Sequence, residues 1–168
     1  NYYTNLKQSI QAFSNAQRIC LIYQIANGMK YIHSCEIVHV NLDPSNILIS
    51  DEGIIKFSDF KNAQKMIQKN QIGQMEDVYS FGELVYFILS GIEIKNSIKE
   101  NVVKSFAKLA QQLIESCFID DLEERTTFEI ICNVLEQNEF NLISLSQLEF
   151  EEVLELIDHY KKQIAYFY

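Results

Sequence analysis

Tryptophan is absent from this chain of 168 residues, proline occurs once and glycine five times. So little turn chemistry excludes a sandwich or barrel of many short strands and leaves a mostly helical body. Phe and Tyr must then supply the bulky packing, and at 12% aromatic they can. Positive charge is also scarce, with 14 Lys and Arg against 23 Asp and Glu and a net charge of −9. That balance argues against nucleic acid as a partner, because such a binder needs a basic face to displace counterions. It equally disfavours an anionic membrane surface. No uninterrupted apolar run is long enough to span a bilayer, and no basic stretch followed by an apolar core marks a secretory signal. The four cysteines form no C-x-x-C pair and have no histidine at metal-ligand spacing, which speaks against zinc. Cys20, Cys117 and Cys132 lie inside apolar helical patterns. They are expected to be reduced core residues of an intracellular, cytoplasmic protein.

What is present suits one globular core, at 48% hydrophobic and 22% charged residues. Residues 1–5 read as a polar turn and residues 6–13 as a short helix. Ser14, with Gln17 three positions on, forms a capping box for a long helix. Its apolar stripe runs through Ile19, Ile22, Ile25, Ala26, Met29 and Ile32 to Cys35. Gly28 inside that stripe predicts the close approach of a neighbouring helix. Three short β-type runs follow, at 37–39, 47–49 and 54–57, with Asp51-Glu52-Gly53 as a hairpin turn between the last two. Residues 61–74 carry neither strand nor helix pattern. Further helices are expected over 77–89, the most buried, then over 102–118, from Thr126 or Thr127 to about 135, and from 146 to about 166. In the last of these, Leu148, Phe150, Val153, Leu154, Ile157 and Ile164 make the apolar stripe. Its glutamates 149, 151, 152 and 155 make a solvated face. His33 and His159 have no convergent partners and read as surface residues.

Chemistry concentrates in the stretch His39-Val40-Asn41-Leu42-Asp43-Pro44-Ser45-Asn46, which resembles the H-R-D-L-K-x-x-N catalytic loop of eukaryotic protein kinases. Four more segments resemble the same family in the expected order. Gly28 to Ser34 looks like the end of the helix before that loop. Ser58-Asp59-Phe60-Lys61 resembles the D-F-G motif, with lysine in place of glycine. Asp77-Val78-Tyr79-Ser80-Phe81-Gly82 resembles the start of the central buried helix. Glu124-Arg125-Thr126-Thr127-Phe128 resembles the opening of the last large-lobe helix.

The resemblance implies a mainly α (α+β) fold, a protein-kinase-like C-terminal lobe with short β-hairpin strands and the small lobe absent. It covers about residues 1–138, with 139–168 as an additional C-terminal helix. Asn46 and Asp59 stand at the positions that ligate Mg²⁺ in the family. Asn41 stands at the catalytic aspartate and Asp43 at the catalytic-loop lysine. A neutral carboxamide does not accept a proton usefully at neutral pH, so the resemblance implies a frame without the chemistry. Asn41 then keeps the loop's shape, Asn46 satisfies its own loop and Asp59 caps a turn. His39, Phe60, Asp77 and Arg125 carry over as structural positions: His39 beneath Phe60, and Asp77 holding the loop backbone.

The segment from Asp59 to Asp77 is much shorter than in the family and holds no A-P-E motif. Arg125 therefore loses its usual glutamate, for which Glu76 is a candidate substitute. Lys61, replacing a glycine, is expected to stiffen its segment. The implied function is a catalytically inactive, pseudokinase-like binding or scaffold module in signalling, with a protein partner. Docking is expected through residues 146–168, where Tyr160, Tyr166, Phe167 and Tyr168 lie, or on the face left by the small lobe. No cofactor is expected, with ATP and Mg²⁺ entering only if a small lobe is supplied. The competing reading is a fragment of an ATP-dependent serine/threonine or tyrosine protein kinase whose small lobe is missing from this chain.

Overall fold

A computed structural model describes residues 3–65, 71–93 and 103–165. It is mainly helical, with two small antiparallel sheets. Strand β1 (Tyr3–Asn5) leads into a short helix α1 (Leu6–Ser9) and a 3₁₀ turn, and then into the long helix α2 (Asn15–Ser34). The capping box forms as the sequence predicts. The Ser14 hydroxyl accepts from the Gln17 N–H at 3.2 Å, and the Gln17 side chain accepts from the Ser14 N–H at 2.9 Å. Strands β2 (Ile37–Val38), β3 (Ile47–Ser50) and β4 (Ile55–Phe57) follow, with β5 (Gln64–Lys65) closing the loop region. Among the described residues the later helices are α3 (Gln71–Ser90), α4 (Lys108–Cys117), α5 (Phe128–Gln137) and α6 (Gln147–Ala165).

One apolar core runs through all the long helices. Ile19, Ile22, Ile25 and Met29 of α2 meet Phe81, Leu84, Val85 and Ile88 of α3, Leu113 and Cys117 of α4, and Phe128 and Ile131 of α5. Val153, Ile157 and Tyr160 of α6 belong to the same core. Cys20, Cys117 and Cys132 are buried free thiols. Burial pushes the Cys117 and Cys132 thiols up to about 12, so both stay protonated and inert. Among the described residues, no helix is long and apolar enough to cross a membrane.

Several expectations need correction. Residues 3–5 are not a turn but strand β1, paired with β3 through Tyr3 and Ser50, Thr4 and Ile49, and Asn5 and Leu48. The sheet supplies the hydrogen bonds that the polar sequence does not advertise. The segment expected to be patternless contains β5, and α3 already begins at Gln71. Gly73 in its first turn lets the helix sit against the Val38 methyls of β2. Of the helix expected over 102–118, residue 102 lies outside the described residues and the continuous helix starts at Lys108, because Ala107 before it is extended. The neighbour that excludes a side chain at Gly28 is the Phe57 ring of β4 rather than a helix. In α6, Leu148 and Leu154 point away from the core while Tyr160 points into it. Two of the glutamates read as a solvated face bond to the start of α2 instead. Glu149 accepts from Asn15 at 3.1 Å and Glu152 from the Ser14 hydroxyl at 3.3 Å. Tyr166, Phe167 and Tyr168 lie outside the described residues.

Candidate functional site

The loop from His39 to Asn46 hangs from one buried carboxylate. Asp77, on α3, accepts the His39 N–H on Oδ2 at 2.8 Å and the Val40 N–H on Oδ1 at 2.8 Å. Val40 is β-branched and sits at φ 68°, a strained left-handed position. The two N–H bonds to Asp77 offset that cost and fix the loop's turn. His33 donates from Nε2 to the same Oδ2 at 2.9 Å and packs edge-on against Phe128. It is therefore no surface residue. Sequence reasoning missed it, although the spacing Met29 to His33 continues the buried stripe of α2 by one turn.

His39 is fully buried between Phe57 and Phe60, with ring centroids 6.0 and 4.7 Å away. Its Nε2 contacts the Ser58 carbonyl at 3.1 Å, and Nδ1 has no partner. A carbonyl only accepts, so Nε2 carries the proton and Nδ1 is bare. Burial pushes the imidazole below its ordinary value, outweighing the opposite pull of Asp77, the Ser58 carbonyl and Asp59. A neutral ring fits that environment.

Asn41 and Asp59 meet. The Asn41 Nδ2 donates to Asp59 Oδ2 at 2.9 Å, and the other oxygen of Asp59 lies 3.3 Å from the Lys61 ammonium. Asp59 does not cap its turn through its side chain, contrary to expectation; it occupies a left-handed conformation at φ 63°, ψ 48°. Lys61 is in the 3₁₀ turn that follows, and the left-handed residue is Asp59 instead. No glycine is needed at 61 for this conformation. The Asn46 Nδ2 donates to the Asn41 carbonyl at 3.0 Å, and the Asn46 carbonyl accepts the Ser58 N–H at 2.9 Å. The loop and the Asp59 turn are thereby one hydrogen-bonded unit.

Asp43 faces elsewhere. Its Oδ1 caps the 3₁₀ turn Pro44–Asn46 by accepting from the Ser45 N–H at 2.8 Å and from the Ser45 hydroxyl. It borders a cleft with Lys7, Ser80, Glu83 and Glu93, in which Lys7 pairs with Glu93 at 2.9 Å. Burial, and then Asp43, pushes the Glu83 carboxyl up. Arg125 does not use Glu76. Its guanidinium donates to the Ile119 and Met75 carbonyls, each at 2.8 Å, and lies over the Tyr79 ring. Gln24 is a further residue that sequence reasoning missed. It bonds the Gly53 carbonyl at 2.9 Å and the Ile55 N–H at 3.1 Å, pinning the β3–β4 hairpin to α2. A polar residue in an otherwise apolar helix face gives no signal of such a role.

A catalytic-type loop suspended from a buried helix, facing an Asp-Phe turn at the end of a hairpin, is the arrangement that the protein-kinase resemblance implies. Comparison with known proteins agrees. The family model for the protein kinase domain matches residues 2–82. Striated muscle preferentially expressed protein kinase of Danio rerio is 29% identical over 101 residues, covering 47% of this chain and 3% of that protein. A probable serine/threonine-protein kinase of Dictyostelium discoideum is 25% identical over 167 residues, covering 80% of this chain and 12% of its own length. Aurora kinase of the same organism is 28% identical over 157 residues, covering 75% of this chain and 41% of its own. The match and these relatives support the protein kinase superfamily for this chain, which spans less than half the length of each of the three.

Proposed function

We propose that this domain is a pseudokinase-like binding or scaffold module that transfers no phosphate, and that its partner is an intracellular protein. The observation that carries the reading is the Asn41 carboxamide, which donates to Asp59 at 2.9 Å where a proton acceptor would be required. Asp43 supports it, since its carboxylate caps a turn and adds negative charge where the family has a lysine. So does the short link between Asp59 and Asp77. In this reading ATP and Mg²⁺ are not resident cofactors. The alternative, part of an active protein kinase, is favoured by the kinase names of the relatives.

A radiolabel assay with ATP, Mg²⁺ or Mn²⁺ and a mixed protein acceptor separates the two. Incorporation should stay at the background of a boiled sample. Transfer that disappears in Asp59→Ala would overturn the proposal.

A further inference from the structure

We infer that Asn41 and Lys61 close the Asp59 carboxylate to divalent cations, so that the position matching a family metal ligand is filled by the chain's own donors. The inference deepens the inactive reading above and rests on it for the meaning of Asp59. Its ground is geometric. A carboxylate oxygen accepts and cannot donate, so Asn41 has to turn its NH₂ group, not its oxygen, toward Asp59 at 2.9 Å. A cation approaching Oδ2 would meet those amide hydrogens head on. Turning the amide over to offer its oxygen would sacrifice that bond. On the other side the Lys61 ammonium lies 3.3 Å from Oδ1 and offsets part of the charge that would attract a metal.

Asn46, the other candidate ligand, donates its Nδ2 to the Asn41 carbonyl at 3.0 Å, which leaves it a single amide oxygen to offer. Mg²⁺ demands near-octahedral oxygen ligation at about 2.0–2.1 Å. One doubly engaged carboxylate with one amide oxygen does not fit it. Among the described residues, no group of three or more His, Cys, Asp or Glu side chains could hold a metal either.

The two donors are not equal. The Lys61 side chain is 72% exposed, so its hold on Asp59 is weak and screened by salt. The Asn41 bond is partly buried and is the stronger of the two. Asn41 therefore carries most of the closure and Lys61 adds to it. Removing Lys61 alone should open the carboxylate a little, and removing both should open it fully.

Titration with Mn²⁺ alone, followed by its free electron-paramagnetic-resonance signal, reads this directly. The unaltered protein should leave the signal free. Lys61→Ala should bind weakly, and the Asn41→Ala/Lys61→Ala pair should bind about tenfold more tightly than the single variant. Asp59→Asn in the double background should abolish the gain. Mn²⁺ binding by the unaltered protein that Asp59→Asn removes would overturn the inference. So would a double variant that melts cooperatively and gains nothing. Should the double variant unfold, Lys61→Ala decides, because an exposed lysine can be cut back without touching the core. Phosphate transfer is scored separately. A variant that gains Mn²⁺ and transfers nothing upholds both conclusions, whereas transfer by the unaltered protein sinks the inactive reading alone.

Discussion

His39 concentrates the physics of the loop in one side chain. It is enclosed by Phe57 and Phe60 and spends one nitrogen on the Ser58 carbonyl, leaving the other bare. Protonation would bury a charge with one partner, which is why burial dominates and holds the ring below 6.5. The sign of the pH effect follows. Between the lowered folded value and 6.5 the unfolded chain binds the proton and the folded chain does not, so stability falls as pH drops through that window. Above the upper edge the contribution is fully present. Urea midpoints at pH 7.5 and 5.5 should therefore differ, the acid one being lower, and the gap should shrink in His39→Gln. An unchanged gap would assign the effect to other groups.

At the scale of elements, the contact of α3 with α4 is the tightest test. Gly82 faces the start of the Phe118 turn so closely that a Cβ placed there would lie 2.7 Å from the Cys117 Cβ and 3.0 Å from the Phe118 ring. Alanine in place of glycine would favour the helix by about 1 kcal/mol. Overpacking against a fully buried cysteine costs more, roughly 1–3 kcal/mol. Gly82→Ala should thus lower the urea midpoint despite its better helix propensity, and a raised midpoint would show that α4 yields. This contact also marks what sequence could and could not say. The motif Ser80-Phe81-Gly82 was visible and so was the helix, since its apolar residues recur on several faces. The reason for the glycine was not, because Cys117 lies far along the chain. Strand β1 was hidden for the same kind of reason: Tyr3-Thr4-Asn5 has no strand pattern of its own and is organised by β3. His33 and Gln24 were illegible as site residues, since each acts through a carboxylate or backbone group that only the fold brings near. The capping box at Ser14 and the hairpin turn at Gly53 depend on adjacent residues alone and were read correctly.

Over the whole molecule, the standing of the last helix decides what the folding unit is. Sequence reasoning divided the chain at 138 and treated the rest as an addition. Yet α6 lies along α2 as part of the common core, with Val153, Ile157 and Tyr160 almost wholly buried. Its polar contacts point the same way. The Tyr160 hydroxyl accepts from Asn27 at 3.1 Å, and its ring stands edge-on to Tyr23. Glu136 of α5 accepts from the Tyr23 hydroxyl and from Lys161 at 2.9 Å, which joins α2, α5 and α6 at one carboxylate. Those two donors hold the Glu136 carboxyl below the usual range. Burying three such side chains contributes roughly 5–9 kcal/mol, comparable to the entire stability of an ordinary domain. A chain ending at residue 145 should therefore show no cooperative melting transition, and Tyr160→Ala alone should cost about 3 kcal/mol. If the shortened chain instead melts sharply within a few degrees of the full one, α6 is an appendage and its buried face is free to serve a partner. Loss of cooperativity would mean that this face is spoken for, leaving exposed residues such as Leu148 and Leu154 as the apolar surface of α6 open to one.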